Sequence, residues 1–127
     1  MSRLIGLSVC LALVWGVMGS PTWGTDDPVP QGKEIFASTC ADCHRANGEG
    51  LPAAFPALNK NPFVLGDPNP VIATVLHGRK GNLGSMPTWQ DKLDDKQIAA
   101  VISYIRQAWS NRAPAVTPAM VAAARTK

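Results

Sequence analysis

Past residue 24 this chain of 127 residues has only two cysteines, two histidines and six aromatic side chains, and nowhere do apolar and polar residues alternate with the period of a strand. So few aromatics give a chain this short a modest core unless something else fills it. One structural zinc site would consume both cysteines and both histidines, and their spacing gives it little support. No Ser-His-Asp arrangement, phosphate loop or second metal cluster points to independent catalysis. No basic run is dense, and a formal net charge of +3 is too mild for a nucleic-acid binder. There is no internal repeat, and no apolar run reaches the ~20 residues that span a bilayer comfortably.

The longest apolar run, Leu4 to Met18, stands at the start, behind Arg3 and ahead of the small residues Gly19, Ser20 and Gly24. A basic head, an uncharged apolar stretch and small residues together make a secretory signal, so a periplasmic location is expected. Cleavage after Gly19 or Gly24 would leave roughly 103 to 108 residues, a single domain by length, and lower the charge to +2 by removing Arg3. Left uncleaved, the same run would be an anchor and bring membrane contact. Cys10 follows Val9 inside the run, where a lipidation site prefers a small residue, and reads as an apolar residue of the leader.

What the remainder does contain is the string Cys40-Ala41-Asp42-Cys43-His44. Two thiols three positions apart can each add to a vinyl group of one haem, and a histidine next to the second is carried onto the iron; C-x-x-C-H is therefore a c-type haem attachment site. A disulfide or redox pair of thioredoxin type would be expected beside a βαβ pattern, which is lacking here. One buried haem would also supply the apolar surface that the aromatics do not.

Helix signals flank this string. A first helix is expected from about Pro30 to Ala41, with Ile35 and Phe36 as its apolar pair. From Arg45 to Asn69 the chain carries four prolines and three glycines without any period, a long loop of the kind that wraps something. Asn69 and Pro70 suit the cap and first turn of a short helix through Val71, Ile72, Val75 and Leu76 to a stop at Gly78. A polar, irregular stretch, Arg79 to Lys92, holds Met86. The clearest helix opens at Asp94, with Gln97 completing a capping box. Ile98, Val101, Ile102, Ile105 and Trp109 share one face, while Lys96, Ser103, Arg106 and Gln107 face away. The rest is tail-like, with a weak helical turn from Thr117 to Arg125.

With His44 as one axial ligand, the other candidates are His77, Met86 and Met120. His77 suits a helix end, where the dipole favours it. Met120 lies in the tail. Met86 precedes Pro87, which biases it towards an extended conformation in a loop without helix-packing demands; filling a gap is its alternative role.

In these residues the chain resembles a class I cytochrome c of the small bacterial kind, from about Gly32 to Trp109. The attachment motif continues as C-A-D-C-H-R-A-N-G-E-G, and G-S-M-P-T-W matches the family's axial methionine loop. The resemblance implies an all-α fold, three main helices and long loops wrapped around one covalent haem, with a leader over 1–24, the cytochrome domain over 25–112 and a tail over 113–127. It implies Cys40 and Cys43 as the covalent attachment points, His44 and Met86 as axial iron ligands, and Pro56 as acceptor of the hydrogen bond from the His44 Nδ1. Gly32 and Phe36 match first-helix residues that cross the last helix, near Val101 and Tyr104. Trp89 would either approach a haem propionate or pack. The L-P-A-A-F-P-A-L and V-L-H-G-R-K-G-N-L segments particularly resemble cytochrome domains serving periplasmic dehydrogenases and terminal oxidases.

The implied function is one-electron transfer rather than catalysis, between redox protein partners such as a dehydrogenase, an oxidase or another cytochrome. Two alternatives stay open: a permanent cytochrome subunit of a multi-subunit oxidoreductase, and a haem enzyme or gas sensor with a vacant sixth site.

Overall fold

A computed structural model describes residues 27–127. The leader expected over 1–24, Cys10 included, lies outside the described residues. Six helices and one minimal hairpin follow in order: α1 Pro28–Thr39, α2 Ala41–His44, α3 Pro62–Leu65, α4 Pro68–His77, β1 Arg79–Lys80, β2 Ser85–Met86, α5 Asp95–Gln107 and α6 Pro118–Arg125. The fold is all-α. None of the described helices is long and apolar enough to cross a membrane.

Local chemistry sets the helix starts. Asp27, Asn61, Asp67 and Thr117 each accept a hydrogen bond from the first turn of α1, α3, α4 and α6, and each of these helices has proline in its first turn. At α5 the Asp94 carboxylate accepts from the Gln97 N–H at 2.8 Å and the Gln97 side chain accepts from the Asp94 N–H at 3.0 Å, the reciprocal capping box that the sequence announces. For α4 the cap is Asp67 rather than Asn69: the Asp67 side chain accepts from the Asn69 N–H, so the helix takes in both Pro68 and Pro70 within its first turn.

The crossing of α1 on α5 is the principal helix contact. Gly32 permits it: a Cβ at that position would run into the Ala100 carbonyl and come within 2.8 Å of the Tyr104 Cβ. Phe36, 2% exposed, sits one turn further along, its ring 5.5 Å from Tyr104 and 5.4 Å from Trp109 between centroids. Below this contact the core runs through Ile72, Leu76, Ile98, Val101 and Ile102.

Only half of the polar face expected for α5 is solvated: Lys96 and Gln107 are exposed. Ser103 and Arg106 are buried, because the chain after α5 folds back over them. Ser103 Oγ donates to the Val116 carbonyl and accepts from the Val116 N–H. Arg106 donates to the carbonyls of Pro114, Val64 and Gly66. Its burial lowers the guanidinium pKa, and nearby Asp67 works the other way. The helix stops at Gln107, so Trp109 is not its last turn but a left-handed residue beyond it, φ 55°. The helical turn expected from Thr117 to Arg125 forms as α6, but it is not tail-like: it packs on α4 and α5 with Val121 fully buried.

Candidate functional site

The attachment string spans two helices. Cys40 ends α1, its N–H donating to the Phe36 carbonyl, and is also the N-cap of α2, whose four residues carry Cys43 and His44. One turn of helix places the two thiols at i and i+3, on the same side of the backbone. Both cysteines are free and half-buried. Burial pushes the Cys40 thiol above its ordinary pKa and the neighbouring Cys43 adds to this, against the 3.3 Å contact with the Thr39 hydroxyl.

His44 is buried at 9% exposure, and its Nδ1 lies 2.9 Å from the Pro56 carbonyl oxygen. A carbonyl can only accept, so Nδ1 carries the proton and Nε2 keeps its lone pair for a metal. Twelve residues separate the partners, and the intervening turn is tightly specified. The Gly50 N–H donates to the His44 carbonyl, Leu51 and Phe55 form an isolated antiparallel bridge, and the Leu58 and Asn59 N–H groups converge on the Gly48 carbonyl. Gly48 has φ +68°, and a Cβ there would lie 2.5 Å from the Trp109 ring. Trp109 in turn donates from Nε1 to the Ala46 carbonyl at 3.1 Å, tying the exit of α5 to the attachment loop.

Met86 ends β2 and pairs across the hairpin with Arg79. It is half-buried and packs against the core. The hairpin was not foreseen: at two residues per strand it has no room for a legible period, and Gly81 and Gly84 close it through one hydrogen bond. Beyond it the chain is tied to the end of α4, with the Thr88 hydroxyl donating to the Leu76 carbonyl at 2.5 Å and the Trp89 N–H to that of Val75 at 3.1 Å. Trp89 is half-buried, with Lys92 Nζ 5.2 Å from its ring centroid. His77 is exposed in the last turn of α4, and Met120 lies on α6, where both line a surface cleft with Asp67 and Ala73.

Sequence reasoning missed one further contributor. Asn111 is fully buried, accepts from the Lys60 N–H at 2.7 Å and donates to the Leu58 and Ile105 carbonyls, fixing the long loop to the end of α5. An isolated asparagine in a Ser/Asn/Arg stretch carries no signal that separates it from a solvated one.

Residues 27–105 match the family described as cytochrome c oxidase, cbb3-type, subunit III. The chain belongs to the cytochrome c family. This cytochrome is 34% identical over 104 residues to the cytochrome c subunit of a quinone alcohol dehydrogenase from Gluconacetobacter polyoxogenes, an alignment covering 76% of this chain and 22% of that protein. It is 34% identical over 106 residues to the cytochrome c subunit of gluconate 2-dehydrogenase from Pantoea cypripedii, covering 76% and 24%. Cytochrome c-552 of Thermus thermophilus is 34% identical over 92 residues, covering 63% of this chain and 69% of the relative. This cytochrome thus spans about a quarter or less of the dehydrogenase subunits it matches and most of the small c-552.

Membership makes the protein an electron-transfer protein whose cofactor is covalently bound haem c with its iron. The donor set fits that group: two thiols on one helical turn, an imidazole with a free Nε2, and a thioether turned to the core. When bound, the haem supplies a one-electron ferric/ferrous couple.

Proposed function

We propose that the protein is a one-haem electron carrier in which Cys40 and Cys43 hold the haem by thioether links and His44 and Met86 fill the two axial positions of the iron. The observation that carries this reading is the 2.9 Å contact between the buried His44 Nδ1 and the Pro56 carbonyl, which fixes the tautomer that leaves Nε2 free to ligate. Two filled axial positions leave no room for substrate, so the residues support outer-sphere transfer rather than catalysis. A thioether opposite imidazole favours ferrous iron and raises the potential relative to two histidines.

The carrier would shuttle electrons between a periplasmic or membrane-bound dehydrogenase and a terminal acceptor. A second reading, a permanent cytochrome subunit of an oxidoreductase, is favoured by relatives that are themselves named cytochrome c subunits of alcohol and gluconate dehydrogenases. Native purification separates the two: a catalytic subunit retained at fixed stoichiometry supports the subunit, and its absence the free carrier. The haem assignment is tested by intact mass after export, expected to equal the chain plus one haem and to survive acid-acetone extraction; freely extracted haem would refute it. Fast and complete binding of carbon monoxide to the ferrous protein would instead indicate an open sixth site.

A further inference from the structure

Helix α6 lies beyond the residues of the family match, 27–105, and nothing in the haem site uses it. Its last residue, Arg125, nevertheless spends its whole guanidinium fork on the segment that follows Met86. Nη1 donates to the Gln90 carbonyl at 2.6 Å, Nη2 to the Leu93 carbonyl at 2.7 Å, and Nε to the Asp95 carboxylate at the start of α5. The opposite side of the same segment hangs on α4, where the Leu76 carbonyl accepts from the Thr88 hydroxyl and from the Gln90 N–H, and the Val75 carbonyl from the Trp89 N–H. Gln90 is therefore held from both sides, its N–H by α4 and its carbonyl by α6. The helix that brings Arg125 there is anchored by Val121, which is fully buried, and capped by Thr117.

We propose that α6 braces the methionine loop and that Arg125 is the positioning residue through which it acts, keeping Met86 on the ferric iron; this rests on Met86 being the sixth ligand. The physical argument is one of local stability. A thioether is a weak partner for ferric iron, so its residence there depends on how much the loop loses by opening. Opening residues 87–93 breaks the two bonds to carbonyls that Arg125 donates, and these are charge-assisted and held in a planar, preorganised fork. The Asp95 pair, its side chains 27% and 33% exposed, serves mainly to orient that fork.

The test is imidazole entry into the ferric holoprotein by stopped flow, with the near-infrared sulfur-to-iron band followed against pH on the same samples. Arg125→Gln is expected to admit imidazole about tenfold faster than the parent, the factor for one charge-assisted hydrogen bond, and to lose the band at lower pH. In a Met86→Ala background, where no thioether has to leave, adding Arg125→Gln should change the entry rate by less than about twofold. Phe36→Leu, which weakens the α1–α5 crossing at Tyr104 and Trp109, where residues 87–93 make none of their hydrogen bonds, should leave entry at the parental rate despite lower global stability. If Arg125→Gln fails to fold, Asp95→Asn is measured in its place and should accelerate entry in the same direction. Parental entry rates in the Arg125 variant, or equal acceleration by Phe36→Leu, overturn the brace. A band and an entry rate unchanged by Met86→Ala would overturn the ligand assignment itself, a different result.

Discussion

Two methionines on the described part of the chain could in principle reach a haem, and their settings differ. Met86 is fixed by the hairpin and the α4 contacts behind it, half-buried against the core; Met120 sits on a helix face beside a surface cleft. Met86→Ala is expected to eliminate the near-infrared sulfur-to-iron band of the ferric protein, and Met120→Ala to leave it unchanged. The reverse pattern would move the ligand to α6. Met86→His should lower the reduction potential, measured by redox titration, because a nitrogen ligand stabilises ferric iron relative to a thioether. At this scale the sequence is most legible where chemistry is contiguous. Cys40, Cys43 and His44 announce themselves within five positions, whereas Pro56 is legible as the partner of His44 only through the family resemblance, because the Leu51–Phe55 bridge beside it has no sequence pattern of its own.

Between elements, the α1–α5 crossing is where stability is most concentrated. Phe36→Ala removes a ring that is 2% exposed and touches both Tyr104 and Trp109, and is expected to cost about 3 to 5 kcal/mol in denaturant unfolding of the holoprotein. A loss below about 1 kcal/mol would mean that the ring is not part of the core. Tyr104 adds a pH dependence. Its burial raises the phenol pKa, so the folded state favours the protonated form. That contribution is complete below the unfolded value near ~10 and is lost as pH rises through the folded value, so thermal unfolding should fall more steeply above about pH 10 in the parent than in Tyr104→Phe. The capping box of α5 was legible because both partners lie within one turn. The burial of Ser103 and Arg106 was not, because a 3.6-residue period describes one partner face, and α5 is covered by α1, α6 and the irregular segment 113–116 together. α3 was missed for another reason: four residues between prolines and glycines are too short for a period.

For the whole molecule the remaining question is where electrons leave. The hairpin answers in part, since it sets Arg79 directly across from Met86 and Lys80 across from Ser85, with Leu83 at its tip 70% exposed. Both cations are exposed, and Arg79 lies over the Phe63 ring at 5.5 Å. Arg45, Lys60 and Lys92 are exposed as well, although Asp42, Glu49 and Asp91 are exposed in the same stretches of sequence, which keeps the excess small. A small excess acts on encounter rather than on affinity. An acidic partner should therefore associate more slowly as the screening length shortens from ~30 Å at 0.01 M to ~8 Å at 0.15 M salt. Charge reversal of Arg79 and Lys80 together should slow the bimolecular rate and flatten that salt dependence, while the haem spectrum and reduction potential stay nearly as they were, because neither side chain is a ligand. Stopped-flow electron transfer to the native partner across an ionic-strength series decides the matter. If the parent profile is already flat, or the double variant is as fast as the parent, the cations are only a solvated surface, and the exposed Leu83 tip, tested as Leu83→Ala, becomes the contact whose loss should slow transfer at every salt concentration.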